Sequence, residues 1–236
     1  MTRPTLYLAS TSPRRRQLLR DAAIPFELVE APVDEDALTT RYAGPLSQLG
    51  PYLAREKALA GRVALLQARK AGLVLAADTT VLLDGESLAK PADHEEATRM
   101  LLRLRGRTHT VITGVALTAT GTDECVTASS STDVVMRAYS DEEMTAFVAT
   151  DDPLDKAGAY SIQHPDFQPV QEFHGCHLGV VGLPMCIVEA LVASGPLPPQ
   201  SGPNGASCRW SAQCTRPLPG PGSVHGSGHT RPEDQE

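Results

Sequence analysis

Residues 73–88 read LVLAADTTVLLDGESL. The run 73–77 has no polar alternation, so it reads as a strand covered on both faces, the pattern of a central strand in a layered fold. It ends on Asp78. A carboxylate after five apolar residues must cap, pair or do chemistry, because an unpartnered buried charge is too costly to keep. Residues 80–84 and 85–88 then read as a hairpin-like return, with Asp84-Gly85 as its turn.

Working outward, residues 6–9 read as a short strand, 13–22 as a helix and 26–30 as a second strand. Residues 46–71 carry a helical apolar spacing at Leu53, Ala60, Ala64 and Ala68. A helix over 94–105 opens on Asp93, and 108–119 and 129–138 are β-like. Ser140 with Glu143 forms a capping-box pattern before a helix at 141–149, and 183–193 is a final helix. Strands and helices mix without a strict βαβ repeat, which predicts an α/β domain on a mixed sheet flanked by helices. The texture changes near residue 195, where Pro, Gly and Ser replace aliphatics. The expected organisation is a domain at 1–194 and a disordered tail at 195–236, since such a stretch buries too little apolar surface to offset its ordering entropy.

A net charge of −7 and an aromatic share of 4% exclude a general nucleic-acid binder, which needs a basic face and stacking platforms. The five cysteines are odd in number and show no CxxC, disulfide framework or zinc spacing. No stretch reads as a signal peptide or a bilayer span, so the expected setting is the cytoplasm, with no membrane partner.

Within this acidic chain, basic residues cluster where they are least expected. In LASTSPRRRQLL (8–19), Arg14, Arg15 and Arg16 fall at a strand-to-helix turn. Cations in a first helical turn oppose the macrodipole, so an external anion explains them better. Lys57, Lys90 and Lys156 with Gln163 follow along the chain, around Asp78. Converging Arg and Lys suit a polyphosphate, and a carboxylate among them suits a divalent metal or a base toward water. No GxxxxGK[ST] or GxGxxG occurs, which argues against P-loop and dinucleotide folds. His109, His164, His174 and His177 follow no known ligand framework.

Taken in order, LYLASTSPRRRQLL, VDED, LAREKA, AADTTVLLDGESLAKP, LRGRTHTVITGVAL, DDPLDKAGAYSIQ and VVGLP resemble the motifs of Maf-type nucleotide pyrophosphatases, from about residue 5 to residue 193. The resemblance implies an α/β fold of the inosine-triphosphate-pyrophosphatase type, with a cleft between two lobes and often a homodimer. It implies cleavage of a nucleoside triphosphate between the α and β phosphates, with Mg²⁺ or Mn²⁺. By motif, Asp78 would be the catalytic acid/base, and Glu35 in VDED would help with metal or water, so that both carboxylates would serve the metal. Ser10, Arg14, Arg15, Lys57 and Lys90 would hold phosphates. Arg14, Thr79 and Gln163 match the branch acting on dTTP and UTP, whereas the 7-methyl-GTP branch carries SDQ in place of ADT. The implied role is housekeeping of the nucleotide pool, with modified pyrimidines among the candidate substrates and a link to cell division arrest. The stretch 164–179 is longer than a minimal member's and is expected to reshape the cleft rim. The alternative is a non-catalytic nucleotide-binding regulator of septum formation, which would have no need of Asp78 beside Glu35 and two lysines.

Overall fold

The computed structural model describes residues 4–194, so the expected tail at 195–236 lies outside the described residues. Along the chain run β1 (Leu6–Leu8), α1 (Pro13–Asp21), β2 (Glu27–Leu28), α2 (Glu35–Arg41), α3 (Leu49–Gln67), β3 (Leu73–Leu83) and β4 (Glu86–Leu88). There follow α4 (His94–Leu104), β5 (Thr108–Ala119), β6 (Cys125–Met136), α5 (Asp141–Val148), β7 (Val170–His174), α6 (His177–Val181) and α7 (Met185–Ser194). The strands form one mixed sheet in the order β2-β1-β3-β5-β6-β7, with β4 also paired to β3. Its helices lie on both faces, as the sequence predicts.

Asp78 does not end a strand. β3 continues through it to Leu83, because β5 pairs the whole of this strand from Leu73 to Leu82 on one edge. The other edge is shared. Parallel β1 takes Leu73–Leu75 and antiparallel β4 takes Val81–Leu83, so 76–80 has no strand partner there among the described residues. That gap is where a cleft opens. The Asp84-Gly85 turn is as expected, both residues adopting positive φ (53° and 80°), which lets a two-residue turn follow the twist of its strands.

Alternation along β3 assigns its faces. Val74 and Ala76 pack with Ala54 and Ala58 of α3, while Leu73, Leu75 and Ala77 pack with Leu18 and Leu19 of α1 and with Val188 and Leu191 of α7. Beyond the gap, Val81 and Leu83 join a separate core with Met100, Leu101, Met136 and Phe147. The long strands therefore run through two lobes, each with its own core, and the gap lies between them. The caps at Asp93 and the capping box at Ser140 and Glu143 form as predicted.

Several elements depart from their sequence reading. The second strand shrinks to two exposed residues at the sheet edge. The 46–71 helix becomes a 3₁₀ turn (Leu46–Gln48) followed by α3, and its buried residues are Leu49, Gly50, Pro51, Leu53, Ala54, Lys57, Ala58, Gly61 and Leu65. The small residues Gly50, Ala54, Ala58 and Gly61 let the helix lie close to the sheet. A Cβ on Gly114 of β5 would come within 2.3 Å of the Pro51 backbone nitrogen. Cys125 and Cys176 are thiols. Among the described residues no helix is long and apolar enough to cross a membrane.

The second lobe carries a titratable core. His109 is 3% exposed, and its Nε2 lies 2.7 Å from Tyr160 Oη. Burial pushes its pKa down to about 4, against the opposing pull of Asp133. Unfolded, the ring titrates near 6.5, so between these values the unfolded chain takes up a proton that the folded one refuses. The stability tied to neutral His109 is full above pH 6.5 and drains as pH falls toward 4, by about 3 kcal/mol at most. Thermal melts at pH 7 and pH 4.5 should show a smaller acid loss for His109→Gln than for the native chain. Equal losses would remove His109 as the cause.

Candidate active site

Parity sends Asp78 and Thr79 to opposite faces of β3 at its open edge. On the α3 face, Lys57 stands two turns after Gly50, whose close approach to the sheet aims the lysine at Asp78. Lys57 Nζ lies 2.6 Å from Asp78 Oδ1 and 3.0 Å from Glu35 Oε2. The Lys57 and Asp78 side chains are only 11% and 12% exposed. Such a lysine is held by its partners, because removing either leaves charge in a poorly solvated place. Glu35 is the first residue of α2, whose N-cap Asp34 accepts from Ala37 N. Burial alone would raise the Glu35 pKa, but Lys57, and more weakly Lys90 and Arg15, outweigh it and hold the carboxyl below its ordinary range.

On the opposite face, Ser12 caps α1 and Pro13 occupies its first turn, which presents Arg14 and Arg15 to the gap. Arg15 donates through Nε to Gly182 O (2.9 Å), through Nη1 to Ser10 Oγ (3.3 Å) and through Nη2 to Thr79 Oγ1 (3.3 Å). Burial lowers its pKa, with Asp78 and Glu35 opposing. Ser10 Oγ also accepts from Ser12 N, so its hydroxyl proton is left to donate outward. Arg14 reaches across the gap to Asp155 Oδ2 (3.4 Å), and Asp155 Oδ1 is 2.5 Å from Lys156 Nζ.

Ser10, Arg14, Arg15, Glu35, Lys57, Asp78, Thr79, Lys90 and Gln163 all line one cleft of about 710 Å³. Every residue given a site role by motif is thus brought together, with Lys90 and Gln163 exposed on the wall, whereas Arg16 of the arginine run does not line the cleft and donates to Thr11 O. Two features escape a reading of the sequence. Lys57 is buried rather than on a solvated helix face. Asp155 engages both Arg14 and Lys156, and its only signal is its place beside Lys156 in DPLDKAGAYSIQ. Residues 164–179 do not line the cleft. Residues from 164 to 177 instead line a neighbouring hollow of about 520 Å³, which shares Ile162 and Gln163 with it, because β7 is drawn to β6 at the far edge of the sheet.

Among the described residues no group of three or more His, Cys, Asp or Glu could hold a metal ion alone. The two carboxylates that meet at Lys57 are hard oxygen donors. Mg²⁺ is characteristically held by one or two carboxylates together with substrate phosphates. The donor set fits a Mg²⁺ or Mn²⁺ ion that arrives with a polyphosphate.

The family model described as Maf-like protein matches residues 5–194. The chain is 46% identical over 195 residues to a dTTP/UTP pyrophosphatase of Thermomicrobium roseum, covering 82% of this chain and 85% of that one. It is 43% identical over 190 residues to the dTTP/UTP pyrophosphatase of Escherichia coli K12 (80% and 92% covered). A Bdellovibrio bacteriovorus protein of the same name is 38% identical over 192 residues (81% and 98%). The cleft residues lie within the matched span, and the chain belongs to the Maf-like protein family.

Proposed function

We propose that this chain hydrolyses dTTP and UTP, and modified pyrimidine nucleotides of the same shape, to the monophosphate and pyrophosphate. The observation that carries this reading is the buried Lys57 joining Asp78 and Glu35 in a cleft that also holds Arg15. A site of this kind binds a polyanion and keeps a carboxylate ionised within it. The names of the relatives support the pyrimidine substrates.

In the proposed reaction, Arg14, Arg15, Lys57 and Lys90 hold the triphosphate, and Ser10 donates its free proton to a phosphate oxygen. Lys57 takes one lone pair of Asp78 Oδ1, and those that remain on the carboxylate suffice both to bind a cation and to accept the proton of a water aligned on the α-phosphorus. The bond from the α-phosphorus to the α,β-bridging oxygen breaks as pyrophosphate leaves, its charge met by the same cations. Held by Glu35 and Asp78, Mg²⁺ or Mn²⁺ would supply further charge neutralisation. Thr79 and Gln163 read the pyrimidine by hydrogen bonding, which discriminates strongly because a wrong base leaves buried groups unpaired. The resemblance adds a homodimer and a cytoplasmic setting to the proposal.

Pyrophosphate release from dTTP, UTP, CTP, ATP, GTP and 7-methyl-GTP, with Mg²⁺ or Mn²⁺, tests the reading. The expected outcome is turnover of dTTP and UTP at least about tenfold above the others in kcat/KM. Binding of dTTP without cleavage of any nucleotide would overturn it in favour of the regulator.

A further inference from the structure

Thr113 faces Thr79 across the β3–β5 pairing, on the same side of the sheet. It is fully buried and absent from the cleft wall. Its hydroxyl donates to Gly179 O of α6 at 2.7 Å, a contact in which the carbonyl can only accept. That commits the single proton of Thr113. The 2.9 Å contact between Thr113 Oγ1 and Thr79 Oγ1 must then take its proton from Thr79. Thr79 in turn accepts from Arg15 Nη2. A hydroxyl has one proton and two lone pairs, so Thr79 is left with one lone pair and no donor for anything in the cleft.

We infer that Thr113 is a positioning residue: by spending its proton on Gly179 it fixes Thr79 as a hydrogen-bond acceptor toward the base of the substrate. This rests on the pyrimidine reading proposed above, and it gives that reading a direction. Uracil and thymine carry a hydrogen on N3, whereas cytosine presents a lone pair at the same position. An acceptor-only Thr79 pairs with the first two and faces a lone pair in the third. Ser10, on the other side of Arg15, has the opposite polarity, with its lone pairs taken by Arg15 and Ser12 N and its proton free. The two hydroxyls flanking one guanidinium are thus set for different chemistry, a donor for phosphate and an acceptor for an N–H.

The test compares UTP with CTP on the native chain, Thr113→Val and Thr113→Ser. Thr113→Val removes the acceptor for the Thr79 proton, so that Thr79 can turn and donate. The expected result is a fall of about tenfold or more in the UTP to CTP ratio of kcat/KM, carried by KM, with the ratio kept in Thr113→Ser. Equal losses for both nucleotides, or an unchanged ratio, would overturn the inference and reduce Thr113 to a packing residue. Dissociation constants for the same pair give the comparison without turnover, so an inactive native chain sinks the proposed reaction and leaves the Thr113 comparison readable. A second measurement needs no variant. NMR of the native chain should show slowly exchanging hydroxyl protons on both threonines, with a cross-peak from the Thr79 hydroxyl to Thr113. A Thr79 hydroxyl that exchanges at the rate of an exposed threonine would overturn the assigned proton order.

Discussion

Asp78→Asn should reduce turnover of UTP by about 10³-fold or more while the nucleotide still binds. General-base catalysis alone contributes about 10² to 10⁴-fold, and an amide cannot take the proton of the attacking water. The substitution preserves shape within β3 and leaves Lys57 its ion pair with Glu35 at 3.0 Å, so the fold should hold. With Glu35 left to hold the metal and one negative charge gone from beside the phosphates, UTP should still bind. Single-turnover rates and calorimetric titration separate the two effects. A variant that turns over UTP within about tenfold of the native rate would show that the proton goes elsewhere.

The second large effect is expected at Lys57. Lys57→Met keeps the aliphatic stem in its buried slot and removes the cation between Asp78 and Glu35. Two carboxylates that face each other without a cation cannot both stay ionised easily, so the pKa of one of them rises. In the native chain Lys57 helps to hold Glu35 below its ordinary range, so activity that needs an ionised Glu35 should be lost only at low pH. In the variant that acid limb should move upward by about one pH unit or more, together with a loss of about 10² to 10³-fold at neutral pH. The measurement is kcat/KM as a function of pH for both proteins. A reduced rate with an unmoved acid limb would assign Lys57 to phosphate binding alone.

The candidate site was legible from the sequence because its residues sit in short motifs, and all nine expected side chains meet in one cleft. What joins them was less legible. Lys57 lies between Glu56 and Ala58 and reads as a solvated helix position. Only the row Gly50, Ala54, Ala58 and Gly61 hints at a helix pressed onto a sheet, and that row has the small side chains that a search for bulky apolar spacing overlooks. Helix α2 offers one buried residue, Leu38, and β7 is largely exposed at the sheet edge, so neither leaves a periodic signal. The apparent end of β3 at Asp78 came from a break in hydrophobicity. That break marks the open edge of a strand whose other edge stays paired. Thr113 had no sequence signal, because its part depends on a cross-strand neighbour and on the α6 carbonyl that takes its proton.

The position of attack is tested most directly by hydrolysing UTP in ¹⁸O-labelled water and weighing the products. Water directed by Asp78 onto the α-phosphorus predicts one labelled oxygen in UMP and none in pyrophosphate. Label in pyrophosphate, or release of UDP with labelled inorganic phosphate, would contradict it.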